Sequence, residues 1–132
     1  MERVPVPAER RYSPSHSWVV SEEAGNVRVG ITHIAAGYLG DALYLEMPAA
    51  GIEVRAGEPV GLIESSWSVF EVVSPVSGFV VEVNPAVIES PERATSDPYG
   101  EGWLLRLRMP DPSDLDALMA SEDYGSPEDS GA

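Results

Sequence analysis

Few side chains in this sequence can do covalent chemistry at neutral pH. All eight of its Lys and Arg residues are arginines, at positions 3, 10, 11, 28, 55, 93, 106 and 108, so no primary side-chain amine is present. Cysteine is absent too, which removes the thiol nucleophile, the thiolate metal ligand and the disulfide. His16 and His33 are the only imidazoles, and two isolated histidines do not make a zinc site unaided. The carboxylate pairs Glu22-Glu23 and Glu122-Asp123 fall in loop-like stretches, where solvated charge is the ordinary state. No serine has the Gly-x-Ser-x-Gly surroundings of a nucleophile elbow, and Gly57, Gly61 and Gly78 are isolated turn glycines rather than a phosphate loop. The pattern predicts a binding protein, with no catalytic residues and no metal.

The elements that must hold these residues are short and β-rich. Residues 1–15 carry three prolines and read as an irregular lead-in. Strand-like runs at 17–20 and 26–31 flank Glu22-Glu23-Ala24-Gly25-Asn26, a stretch suited to a hairpin loop. Thr32 is a fitting N-cap for a short helix over 33–39, with Gly40 as its C-cap. Strands are predicted at 42–47, 60–65, 69–73 and 79–83, with Ser66-Trp67-Ser68 joining 60–65 to 69–73 and Asn84-Pro85 stopping the last. Over 104–109, Leu105, Leu107 and Met109 fall on one face and the arginines on the other. A helix over 115–120 follows Pro112-Ser113-Asp114, with Leu115, Leu118 and Met119 at helical spacing.

At 132 residues the chain can bury one core. No apolar run approaches the roughly 20 residues of a membrane span, and Met1–Pro7 lacks the apolar stretch of a signal peptide. The simplest location is the cytoplasm. Net charge is −14, half of it from seven acids in the last 22 residues, where no base stands. Such a field repels phosphate backbones, which argues against nucleic acid and anionic membranes as partners. It either serves solubility or provides an acidic face that steers the chain to basic partners.

One ordered set of motifs spans most of the chain. His16-Ser17-Trp18-Val19, Val29-Gly30-Ile31-Thr32 and Leu39-Gly40-Asp41 lead to Leu45-Glu46-Met47-Pro48, Ala56-Gly57-Glu58-Pro59 and Ile63-Glu64-Ser65. Pro75-Val76-Ser77-Gly78, Glu82-Val83-Asn84, Asp97-Pro98-Tyr99-Gly100-Glu101-Gly102-Trp103-Leu104 and Leu115-Asp116-Ala117-Leu118-Met119 follow. In this order, over residues 12–124, the chain resembles the glycine cleavage system H protein family. The tract 97–103 and the Gly-Ile-Thr helix entry are the specific parts; Ala-Gly-Glu-Pro is shared by many carrier domains. The resemblance implies a mainly β, biotinyl/lipoyl-carrier-like barrel–sandwich hybrid with short flanking helices and a protruding hairpin. That domain would occupy residues 12–120, between an irregular lead-in (1–11) and an acidic, disordered tail (121–132). It also implies docking to the P protein (glycine decarboxylase), the T protein (aminomethyltransferase) and the L protein (dihydrolipoyl dehydrogenase).

The resemblance breaks at the residue that carries the family's chemistry. The family hairpin reads Glu-Ser-Val-Lys-Ala, reaches an acid four residues after the lysine, and continues to Pro-Val-Ser-Gly. Here Glu64-Ser65 and Pro75-Val76-Ser77-Gly78 fix the register at both ends, so the lipoyl-lysine position is Trp67 and the acid is Glu71. Indole offers no amine for an amide with lipoate or biotin, so no cofactor is expected. The cleft in which the family rests its loaded arm maps to Ser15, Ser17 and Glu71, with His16 beside it, and a family glutamate has become Ser17. The indole either folds back onto Val69, Phe70 or that cleft, or stands out as an anchor for a partner. Trp18 and Trp103 belong to the core and His16 is structural. The leading expectation is an H-protein-like chain that cannot be lipoylated and acts as a non-catalytic binding, scaffold or regulatory module. The alternatives are an amine-binding protein using the cleft at Ser15, Ser17, Trp67 and Glu71, or a repurposed carrier with an attachment on Ser65, Ser66 or Ser68.

Overall fold

Short alternating runs stopped by Gly and Pro fold into two antiparallel sheets around one apolar core. The computed structural model describes Pro7 and residues 9–124. In chain order the elements are β1 (Arg11–Tyr12), β2 (Ser17–Ser21), β3 (Asn26–Ile31), α1 (His33–Leu39), β4 (Ala42–Glu46) and β5 (Glu53–Val54). They continue with β6 (Pro59–Ser65), β7 (Val69–Val73), β8 (Gly78–Val83), α2 (Pro85–Glu89), α3 (Arg93–Ser96) and β9 (Leu105–Arg108). The larger sheet runs β1-β2-β3-β9-β8-β5 and the smaller β4-β6-β7. The core between them includes Val29, Ile31, Leu39, Ile63, Val72, Val80, Leu105 and Leu107, all buried. The mainly β architecture with short flanking helices is therefore as expected.

Local signals explain most boundaries. The hydroxyl of Thr32 accepts from the backbone N–H of Ala35, and Gly40 ends α1 at φ 74°, a conformation that favours glycine. Trp18 is fully buried opposite Gly30 in the β2–β3 pair and donates its indole N–H to the Pro98 carbonyl at 3.0 Å. Gly30 is required there, because a Cβ at that position would lie 2.5 Å from Trp18 Cζ2. Trp103 is only half-buried; its ring is covered by the guanidinium groups of Arg106 and Arg28, at 4.8 Å and 5.8 Å. Glu22 holds both arginines, bonding Arg106 Nε at 2.8 Å and lying 2.7 Å from Arg28 Nε without hydrogen-bond alignment.

Four expectations need correction. The lead-in is not irregular up to residue 15, because β1 pairs with β2 and Tyr12 is fully buried. Tyr12 also exchanges backbone hydrogen bonds with Met119 and stacks on Tyr124 at 4.9 Å. The tail does not leave the domain at 121: Tyr124 is 3% exposed, its hydroxyl 2.6 Å from both Thr32 Oγ1 and His16 Nδ1. The rest of the anticipated tail, 125–132, and most of the lead-in lie outside the described residues. The helix expected over 115–120 is a 3₁₀ turn, Pro112–Ala117, started by the Asp111 carboxylate accepting from Ser113 N–H. Leu118 leaves it in extended conformation so that Leu115 and Leu118 reach the core. Two short helices, α2 and α3, were not anticipated. Asn84-Pro85 stops β8 and also starts α2, because Asn84 caps it and Pro85 sits in its first turn.

Replacing Gly30 by Ala is expected to lower stability by about 1–3 kcal/mol in urea unfolding, since the fixed indole cannot make room. A change within measurement error contradicts this packing. A second prediction concerns His33, whose Nδ1 lies 2.8 Å from the Tyr99 hydroxyl. Burial, and secondarily the charge of His16, hold its pKa below the ordinary imidazole value. A depressed histidine pKa gives stability that is complete above about 6.5 and is lost as pH falls toward the folded value. The urea midpoint should therefore drop between about pH 7.5 and pH 6 in the natural chain and drop less in His33→Gln. Equal slopes in the two chains contradict the assignment.

Candidate functional site

The β6–β7 hairpin sets the position of Trp67. Its strands pair Pro59 with Val73, Leu62 with Glu71, Ile63 with Phe70 and Glu64 with Val69, leaving Ser65-Ser66-Trp67-Ser68 as the turn. Ser65 clasps that turn. Its backbone N–H donates to the Ser68 carbonyl at 2.9 Å, and its hydroxyl accepts from the backbone N–H groups of Trp67 and Ser68, both at 3.3 Å. Ser66 and Trp67 are thereby fixed at the apex.

Trp67 does not fold back as a plug. It is 82% exposed, the highest value among the large hydrophobic residues of the described chain. Val69, one of its expected covers, is itself exposed, and Phe70 turns inward against the core. The indole is nevertheless seated: its Nε1 edge lies against Gly40, where a Cβ would be only 3.1 Å away. The glycine that ends α1 thus leaves room for this edge of the ring, while most of the indole stays exposed.

The other residues assigned to the site stand on two parts of the fold, the β1–β2 loop with the start of β2 and the small sheet. His16 lies at the tip of the loop between β1 and β2, at φ 67°, with Nδ1 bonded to the Tyr124 hydroxyl and its ring edge-on to Tyr38. Tyr38 belongs to α1, the helix that ends at Gly40. Ser15 is half-buried in the same loop. Ser17 is 1% exposed and shares a 2.7 Å hydrogen bond with Ser13 Oγ, so its hydroxyl faces the interior and cannot line an open cleft. That corrects the assignment of Ser17 as a cleft residue: as the first residue of β2, paired with Ile31, it points inward. Glu64 and Glu71 are exposed and belong to the outer face of the small sheet.

Three residues of this region were not singled out from sequence. Gly40 was read as a helix cap, and nothing local signals that it also supports an aromatic ring. Tyr44 and Glu46 on β4 are joined by a 2.6 Å hydrogen bond from the tyrosine hydroxyl, and that bond raises the tyrosine pKa. Their i, i+2 spacing on a strand was the available signal, since it places both on one face. Among the described residues no group of three or more His, Asp or Glu is placed to hold a metal ion, and no helix is long and apolar enough to cross a membrane. Nor does the hairpin apex fit the lipoyl group that the resemblance implies, because the four turn residues are three serines and a tryptophan.

Comparison with known proteins gives a consistent answer. A family model described as glycine cleavage H-protein matches residues 10–128. The glycine cleavage system H protein of Neisseria meningitidis serogroup C is 42% identical over 119 residues, covering 90% of this chain and 93% of that one. That of Pectobacterium carotovorum is 44% identical over 119 residues, covering 90% and 92%. The crystal structure of a glycine cleavage system H protein from Mycobacterium marinum superposes with a TM-score of 0.83 at 35% identity, covering 96% of this chain and all of that one. The fold is the lipoyl-carrier-like barrel–sandwich of these proteins, and the chain belongs to the glycine cleavage H-protein family.

Proposed function

We propose that this chain is an H-protein-like component of glycine decarboxylation that carries no lipoyl group and acts by binding other proteins. The observation that supports this reading is Trp67, an exposed indole at the hairpin apex, at the position that the resemblance gives to the lipoyl-lysine. Lipoate and biotin attach through an amide to a primary amine, and this chain has no lysine anywhere. The indole nitrogen is only a hydrogen-bond donor. Without a covalent arm the chain has no means to carry an aminomethyl group between active sites. It keeps a hairpin of unchanged length and the flanking acids Glu64 and Glu71.

The partners proposed are proteins resembling the P, T or L components, or homologues of these in another pathway, and the proposed location is the cytoplasm. A chain that presents the family surface without its cargo occupies a docking site without supplying substrate, and so works as scaffold, competitor or regulator. The alternative of an amine-binding cleft is weakened by Ser17, whose hydroxyl is turned inward to Ser13. Attachment at Ser65 is weakened in the same way, because its hydroxyl already closes the turn.

Calorimetric titration of the purified chain with P-, T- and L-type proteins is expected to show saturable binding to at least one. No heat with any of the three, at concentrations where a lipoylated H protein binds, overturns the reading.

A further inference from the structure

The outer face of the β4–β6–β7 sheet has a pattern that folding does not explain. Directly paired residues of an antiparallel sheet point to the same side. The register therefore sets Tyr44, Glu64 and Val69 in one row and Glu46, Leu62 and Glu71 in the next. Leu45, Ile63 and Phe70 form the alternate row, turned into the core. On the outer side Tyr44, Glu46, Glu64, Val69 and Glu71 are all exposed, and no described residue covers them. Three carboxylates thus share one face with a tyrosine and two aliphatic side chains.

No arginine stands on these three strands. The ion pairs of the described chain lie elsewhere: Arg28 and Arg106 with Glu22, Arg106 with Glu82, Arg93 with Glu101 and Arg10 with Glu9. Glu46, Glu64 and Glu71 therefore share this face without an ion-pair partner among the described residues, and like charges on one sheet face add nothing to folded-state stability. The Tyr44 hydroxyl holds Glu46 on this face. At the end of the same hairpin Trp67 stands exposed, one edge of its ring against Gly40, so most of its apolar area is open to a partner.

We propose that this acidic–apolar face and Trp67 form one continuous docking surface for a protein whose complementary groove is lined by arginine or lysine and has an apolar recess for the indole. The proposal rests on the reading of the chain as a binding module and names the chemistry of its partner. Charge decides the class: carboxylates without counter-ions attract a cationic protein surface and repel nucleic-acid and lipid phosphates. Trp67 supplies the desolvated anchor, and the carboxylates steer encounter and fix register.

The test titrates P-, T- and L-type proteins with the natural chain, with Trp67→Ala, with the triple variant Glu46→Gln/Glu64→Gln/Glu71→Gln, and with a control of equal charge change, Glu23→Gln/Glu89→Gln/Glu92→Gln, at low and physiological salt. Trp67→Ala should weaken binding by about thirtyfold or more, the loss typical of a tryptophan anchor. The on-face triple variant should weaken it by about tenfold and flatten its salt dependence, while the control shifts it less than about threefold. Thermal unfolding of the on-face variant should occur at the same or a higher temperature than that of the natural chain, which separates lost binding from lost structure. If the natural chain binds and both on-face variants bind equally well, the docking face is overturned and the binding reading stands. If the control weakens binding as much as the on-face variant, net charge and not this face is responsible, and the proposal fails. Absence of binding by the natural chain removes both.

Discussion

Everything that this chain shows to its surroundings at one end depends on the register of the β6–β7 hairpin. Ile63 and Val72 are fully buried between the two sheets, and the hairpin cannot slip by one residue without turning both to water. Burying two such side chains is worth about 1.5–3 kcal/mol each, enough to make the slipped pairing rare. The same register fixes the turn at Ser65-Ser66-Trp67-Ser68, where the Ser65 hydroxyl takes the two amides that a turn without left-handed residues leaves open. The core, not any preference of tryptophan for turns, puts the indole at the apex.

A tryptophan at that apex runs against burial, which would favour folding so large an apolar group inward by a few kcal/mol. The structure gives it an edge contact at Gly40 and leaves it 82% exposed. The residues expected to receive it are engaged elsewhere: Phe70 turns inward to the core and the Ser17 hydroxyl bonds Ser13. The outcome is an aromatic side chain with most of its area in water, on the same hairpin as carboxylates that no arginine offsets. A covalent carrier needs a nucleophilic amine at this point, whereas a docking protein needs an anchor, and the side chain present meets only the second need.

Much of the fold could be read before the coordinates, for physical reasons. Strands with one buried and one exposed face leave an alternating pattern, so β3, α1 and β7 fall at the expected residues, and Thr32 and Gly40 carry the chemistry of helix caps. The failures share a cause. Tyr12 and Tyr124 are each held by partners more than a hundred residues away, Met119 and His16 respectively, and no local composition reveals such pairing. The helices α2 and α3 are too short to show a period, and Asn84-Pro85 ends a strand by the same conformations that begin a helix. At the site, the apex position of Trp67 followed from hairpin register, which is local. The inward turn of Ser17 and the Gly40 seat did not, because each depends on an element folded in from elsewhere.

The central claim is that Trp67, at the position the resemblance gives to the lipoyl-lysine, leaves this chain without an attachment point for lipoate. Intact mass spectrometry after incubation with a lipoate ligase, lipoate and ATP tests it directly, on the natural chain and on Trp67→Lys. The account predicts no change in the natural chain and the addition of one lipoyl group to Trp67→Lys, since hairpin length, Glu64 and Glu71 are in place. A lipoyl adduct on the natural chain, or a folded Trp67→Lys chain that stays unmodified, contradicts it.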